Sequence, residues 1–344
     1  MLKLCNHCAV RQGLHVGSST SIGVGIGVGI GVDDSECYIC HGLMSRLSDI
    51  FMLVEDAAKG YEFRSFLVGA TLPQDMLERE DEIRARLKVK GMESIKSSIT
   101  REVGIMLSRK GYRVDYERPD VDIHLDLTSM NINVRARPIY LLARYRKSRR
   151  GLKQKGYENS IESIVRGWIV GEFNARDARF LWVGGEDKDS LVLGEGRPFF
   201  IKVIDARRRS GYRDRFSSDG IDVTIVREVD GFPRQIRFMS MVRLYLECKD
   251  QGITDRIREV SSQGSVTIRF KEDDANSMRY VEKRMHVMDA RYNAEAGVVE
   301  VDMLVDGGFT LKRFAEGDDV EPSMHDLFGT VRLRYFDVLD VRMI

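Results

Sequence analysis

Apolar positions in the first half of the chain follow two different periods. Ile95, Ile99, Val103 and Met106-Leu107 recur at helical spacing and Gly111 closes the run, which predicts a helix. A charged segment from Met76 to Val89, after the loop Gly69-Ala70-Thr71-Leu72-Pro73, predicts another. Val121, Ile123, Leu125 and Leu127 then alternate with Asp122, His124 and Asp126, the pattern of a half-buried strand. Ile132, Val134 and the run Ile139 to Leu142 supply more strand, so this region predicts a small α+β module. From Ser160 onward one larger α+β domain is expected. Ile161, Ile164 and Val165 predict a helix, and Phe199 to Val203, Val298 to Val305 and Val331 to Val341 predict strands. Lys249 to Ser262 is charged and predicts a loop with a short helix.

Composition sets outer limits. The 344 residues are 43% hydrophobic, enough for two or three domains with a sizeable core. A net charge of +1 argues against a globally basic nucleic-acid binder, so charge has to be read locally. No stretch reaches the roughly 18 apolar residues of a membrane span, and the start MLKLCNHC lacks a secretory pattern. A cytoplasmic protein without a membrane partner is expected.

Four of the five cysteines form two C-x-x-C pairs, Cys5-Cys8 and Cys37-Cys40. Two residues between thiolates let both point at one metal, and two such knuckles complete a tetrahedral sulfur shell. A structural zinc site is the expectation; two disulfides would be the alternative in an oxidising compartment. His7 and His41 flank the knuckles, but four thiolates already suffice. Between the pairs, Ile22 to Val32 alternates glycine with Ile or Val, which weakens a strand and suggests a loose hairpin arm.

The run ARYRKSRRGLKQK is the strongest charge signal. Nine Lys or Arg fall between Arg135 and Lys155, and no acid occurs between Asp126 and Glu158. Arg144, Tyr145, Arg146, Lys147, Arg149 and Arg150 therefore read as an RNA-binding stretch, basic with an interleaved aromatic. A solvated charged face is the plainer alternative. Arg207-Arg208-Arg209 with Arg213 and Arg215 would extend the track.

Standard nucleotide-binding and hydrolase motifs are absent from the sequence. The most site-like stretch is Gly184-Gly185-Glu186-Asp187-Lys188-Asp189, followed by Gly194-Glu195-Gly196-Arg197-Pro198-Phe199-Phe200. Its carboxylates could act as nucleophile, base or metal ligand, or form an acidic surface turn.

These residues carry a resemblance. CNHC and CYICHGL, YEFRSFLVGATLP, ERPDVDIHLDL, ARYRKSRR, GGED with LGEGRPF, and GFTLKRFAEGD resemble the archaeal and eukaryotic tRNA pseudouridine synthases of the Pus-ten type. The resemblance covers nearly the whole chain. It implies a zinc-binding head with a Gly-rich insertion at 1–45, a THUMP-containing RNA-binding domain at 46–157 and a pseudouridine synthase domain at 158–344. It implies Asp187 as the catalytic aspartate, Tyr245 packing against the target base, Leu311 beneath it and Lys312 as a cation favouring the ionised carboxylate. It implies the T arm of tRNA as substrate, positions 54 and 55 as targets, no organic cofactor and no required protein partner. The sequence also departs from the family pattern. Gly185 and Leu191 stand where the family has arginines, Arg243 replaces the lysine of K-x-Y, and LKQKGY replaces L-P-Q-T-P-W. These departures support an alternative, a catalytically weakened tRNA-binding protein of the same architecture. A different THUMP-bearing enzyme, such as a methyltransferase or sulfur-transfer protein, would need a methyl-donor glycine motif, a P-loop-like loop or a reactive cysteine, and Cys248 in LYLEC looks like ordinary packing.

Overall fold

The periodicities become elements where they bury an apolar face. A computed structural model describes residues 2–14, 28–248, 252–274 and 277–344. They fall into two units, 1–138 with 205–210, and 139–204 with 211–344.

The first unit opens with β1 (Leu2–Leu4), α1 (Asn6–Arg11) and β2 (Val28–Ile30). β1 and β2 pair in parallel, so the described end of the Gly-rich run is not a hairpin; its residues 22–27 lie outside the described set. Next come α2 (Leu47–Ala58), β3 (Ser65–Thr71), α3 (Gln74–Leu87), α4 (Ile95–Arg109), β4 (Arg113–Val114), β5 (Val121–Asp126) and β6 (Asn131–Ala136). Ser94 caps α4 by accepting from the Ser97 amide, and Ile95, Ile99, Val103 and Leu107 are all buried, as their spacing predicts. The four-strand sheet runs β4-β3-β5-β6; β5 lies parallel to β3 and antiparallel to β6.

The second unit contains β7 (Ile139–Lys147), α5 (Ile161–Glu172), β8 (Asp177–Trp182), β9 (Val192–Ile204), β10 (Arg215–Ser218), β11 (Ile221–Val229) and β12 (Phe238–Glu247). It continues with α6 (Ile253–Ser262), β13 (Ser265–Asp274), β14 (Ser277–Asn293), β15 (Val298–Asp306), α7 (Leu311–Glu316), β16 (Val320–Glu321), α8 (Met324–Phe328) and β17 (Arg332–Met343). One sheet of eleven strands runs β10-β11-β7-β9-β17-β12-β15-β14-β13-β16, with β8 also on β9. The mixed α+β class read from the sequence holds for both units.

Two of the sequence groupings are redrawn. Residues 139–157, expected with the RNA-binding module, group with the second unit, because β7 pairs with β9 and β11. The second basic cluster is divided: Arg207 to Arg209 lie in the first unit, Arg213 and Arg215 in the second.

The glycines of LGEGRPF have a steric cause. A Cβ on Gly194 would lie 2.3 Å from the Leu339 carbonyl oxygen, and one on Gly196 2.5 Å from that of Tyr145. Both have positive φ. Glycine lets β9 pass close to β17 and β7, which sets the end of the loop before it.

Candidate active site

That loop, residues 183–191, joins two antiparallel neighbours, β8 and β9, and carries GGEDKDS. Its acids have separate tasks. The Glu186 side chain is fully buried, 2.9 Å from Arg197 Nε, and accepts from the Tyr145 hydroxyl at 2.8 and 2.7 Å. Burial pushes the Tyr145 phenol well above its usual range, and the Glu186 charge adds to the effect. Arg197 also donates to the carbonyls of Val183 and Gly185, at 2.8 and 3.1 Å.

Asp187 is not buried with Glu186. Its carboxylate lies 3.0 Å from Lys312 Nζ, and both side chains are partly exposed. They line a cavity of about 370 Å³ together with Leu311, Phe238, Ser240, Val242, Val305, Phe336 and Val338. The floor is apolar and buried, and Ser240, only 7% exposed, adds a hydroxyl to it. Asp187, Leu311 and Lys312 are thus brought together as the sequence reading expected.

Tyr245 is not. In β12 the cavity is lined by Phe238, Ser240 and Val242, and strand alternation puts Arg243 and Tyr245 on the opposite face. Tyr245 packs on Tyr335 with ring centroids 4.5 Å apart, and Arg243 pairs with Asp302 at 2.6 Å. Burial raises the Tyr245 pKa, helped by Asp337 and Glu300. The aromatic residues of the cavity are instead Phe238, Phe309 and Phe336, and of these Phe238 comes from β12 itself; sequence reasoning missed all three. The Phe238 ring lies between two glycines: a Cβ on Gly184 would come within 3.0 Å of it, and one on Gly307 within 2.7 Å. The paired glycines 184–185 and 307–308 were the available signal.

The core of the basic stretch, residues 144–150, is partly internal. Tyr145 and Lys147 are both 0% exposed, so neither can contact RNA as expected from the sequence; alternation turns both toward the floor of the 183–191 loop. Arg144 donates to the carbonyls of Gly196 and Val341. Arg150 pairs with buried Asp337 at 2.6 Å and donates to the Asp189 carbonyl; Asp337 also accepts from the Leu191 amide at 2.8 Å. Of the basic residues in 144–150, Arg146 and Arg149 stay largely exposed, beside Asp222 and Asp219; Lys153 and Lys155 beyond them are exposed too.

In the first unit, Cys5, Cys8, Cys37 and Cys40 are buried, with sulfurs all within 4.8 Å of one another. Cys5 and Cys40 Sγ are 3.8 Å apart, too far for a disulfide but about the 3.8 Å edge of a tetrahedron with 2.3 Å metal–sulfur bonds. Hydrogen bonding within the cluster splits the thiols: the bond with Cys40 lowers Cys37, and the bond with Cys37 raises Cys5. Arg11, 5% exposed, donates to Cys8 Sγ at 3.1 Å and pairs with Glu80. Glu80 also accepts from the Ile95 amide at the start of α4. A cation beside the sulfurs suits a tetrathiolate, so the donor set fits a metal ion.

Sequence comparison matches the same regions. The profile of the archaeal Pus10 THUMP domain matches residues 52–126, and the Pus10 C-terminal profile matches 140–232. A protein of Cenarchaeum symbiosum (strain A), named tRNA pseudouridine synthase Pus10, is 33% identical over 86% of this chain and 78% of its own length. The chain belongs to the Pus10 family. The Pus10 protein of Nitrosopumilus maritimus (strain SCM1) is 28% identical over 99% of this chain and 95% of its own. That of Pyrococcus furiosus is 25% identical over 98% and 94%. Both carry the same enzyme name. The C-terminal Pus10 profile spans β7, the 183–191 loop and β9, the elements that build the floor under Asp187. Among the described residues no helix is long and apolar enough to cross a membrane.

Proposed function

We propose that this chain is a cytoplasmic tRNA pseudouridine synthase that isomerises uridine in the T loop, at position 54, 55 or both, with Asp187 as its catalytic carboxylate. The observation that carries this reading is the Asp187–Lys312 pair at the mouth of an apolar cavity in a Pus10-family chain. The enzyme name of the relatives supplies the substrate and the reaction class.

The chemistry suits such a site. The bond from N1 to C1′ breaks, a bond from C5 to C1′ forms, the C5 proton leaves to solvent and N1 takes one up. No atoms are added, so no organic cofactor is needed. A cavity of about 370 Å³ has room for a base, and a base still held between its stacking neighbours could not enter it, so the target uridine must leave its stack. Phe238 offers a face for the base, Leu311 an apolar contact, and the Ser240 hydroxyl a partner for one polar edge. The four thiolates hold a structural zinc that ties the chain's start to α3 and α4 through Arg11 and Glu80. The THUMP region, Arg146 and Arg149 contact the RNA backbone.

Purified protein incubated with an unmodified tRNA transcript, followed by chemical mapping of pseudouridine, tests this. Product at 54 or 55 with wild type and none with Asp187→Asn is expected. Equal product with both proteins would sink the role of Asp187. The second reading, a weakened RNA-binding member, is favoured by Gly185, where the family resemblance calls for arginine. Tight tRNA binding with no product from the wild type would establish it.

A further inference from the structure

Lys147 is the last residue of β7 and is 0% exposed. Its Nζ donates to three carbonyl oxygens: Leu152 at 2.9 Å, Asp187 at 2.9 Å and Lys188 at 3.1 Å. Three acceptors use all three N–H groups of an ammonium. Among the described residues it has no ion-pair partner, and burial lowers its pKa. A buried cation whose hydrogen bonds all go to carbonyls is costly even with the charges of Glu186, Asp189 and Asp187 acting on it, so its position calls for a reason. The same two loop carbonyls are held a second time. That of Asp187 accepts from the Ser190 amide at 3.2 Å, and that of Lys188 from the Gly151 amide at 2.8 Å.

We propose that Lys147 is a positioning residue for Asp187. The inference rests on the reading of Asp187 given above. The ammonium draws the Asp187 carbonyl down toward β7. With Glu186 held by Arg197 and Tyr145, this fixes the backbone on both sides of the Asp187 Cα. The carboxylate then projects upward, to Lys312 and the cavity. Lys147 contributes no contact to RNA, because none of its surface reaches solvent.

The test measures single-turnover rate and binding with an unmodified tRNA transcript, for wild type, Lys147→Met, Lys147→Arg and Asp187→Asn. A misplacement near 1 Å predicts a rate about 100-fold lower for Lys147→Met. Its Kd for tRNA should be unchanged, and Lys147→Arg should recover part of the rate. A purely structural role would move rate, Kd and melting temperature together and would overturn the proposal. So would a weakened Kd with the rate preserved, which would restore RNA contact. If Lys147→Met reacts at the wild-type rate while Asp187→Asn is inactive, the positioning role alone fails. If Asp187→Asn reacts, the reading of Asp187 fails instead. Should Lys147→Met not fold, amide exchange on the wild type decides. The Ser190 and Gly151 amides should be protected like those of β7, and free exchange there would overturn the proposal.

Discussion

The hydroxyl of Tyr145 donates to Glu186, 2.8 and 2.7 Å from its two carboxylate oxygens, directly beneath the loop that carries Asp187. Glu186 is the neighbour of Asp187 in sequence, but its side chain is fully buried against Arg197. Two adjacent acids thus divide the work, one anchoring the loop and one facing the cavity.

Removing the anchor leaves Arg197 buried without its carboxylate. Glu186→Ala should lower unfolding stability by about 3–5 kcal/mol, the usual cost of breaking a buried pair. Tyr145→Phe keeps the pair but loses the hydrogen bond to Glu186 and the one its hydroxyl accepts from Gln154 Nε2 at 2.9 Å, so about 1.5–3 kcal/mol is expected. Chemical denaturation of the two variants checks the order. A larger loss in Tyr145→Phe would mean that the phenol, not the ion pair, holds the loop.

The cavity wall gives a second prediction. Phe238→Ala removes the ring between Gly184 and Gly307, and Tyr245→Leu removes a ring on the far face of β12. Phe238→Ala should lower the modification rate by about 5- to 150-fold, the loss of one stacking contact worth about 1–3 kcal/mol. Tyr245→Leu should leave the rate near wild type. The reverse order, measured under single turnover, would return the base-stacking role to Tyr245.

The tetrathiolate is tested by metal content. Elemental analysis of purified protein should find one zinc per chain, and a chelator should lower the melting temperature. Arg11→Met removes the cation beside Cys8 and should weaken zinc affinity by about 10–100-fold without removing a ligand. Protein free of metal, with a melting curve indifferent to chelation, would mean that the four cysteines merely pack.

The fold was legible where one face of an element meets water. The α4 spacing and the β5 alternation show this, since polar residues mark the outer face in both. The paired cysteines were legible from spacing alone. ARYRK misled because cations in sequence suggest solvent. Applying the period of two would have separated Tyr145 and Lys147 from Arg144 and Arg146, but not revealed that carbonyls and a carboxylate await the first pair. Tyr245 failed for a different reason. Which face of β12 meets the cavity depends on its pairing with β17 and β15, far away in sequence. No local pattern around LYLEC carries that register.

Salt dependence separates the surface cations from the internal ones. Arg146 and Arg149 are 58% and 53% exposed, each beside an aspartate. Exposed pairs of this kind contribute about 0.2–1 kcal/mol, so either guanidinium can exchange its carboxylate for a phosphate at little cost. Each released counterion adds to the slope of log K against log salt. Arg146→Ala and Arg149→Ala should each weaken tRNA binding and flatten that slope by up to about 1. Arg144→Ala should act differently. Its guanidinium is spent on the carbonyls of Gly196 and Val341, so the slope should stay and the melting temperature should fall. If Arg144→Ala flattens the slope while Arg146→Ala and Arg149→Ala do not, the RNA runs over the other edge of β7. The division of this strand into a floor for the catalytic loop and a rim for RNA would then be wrong.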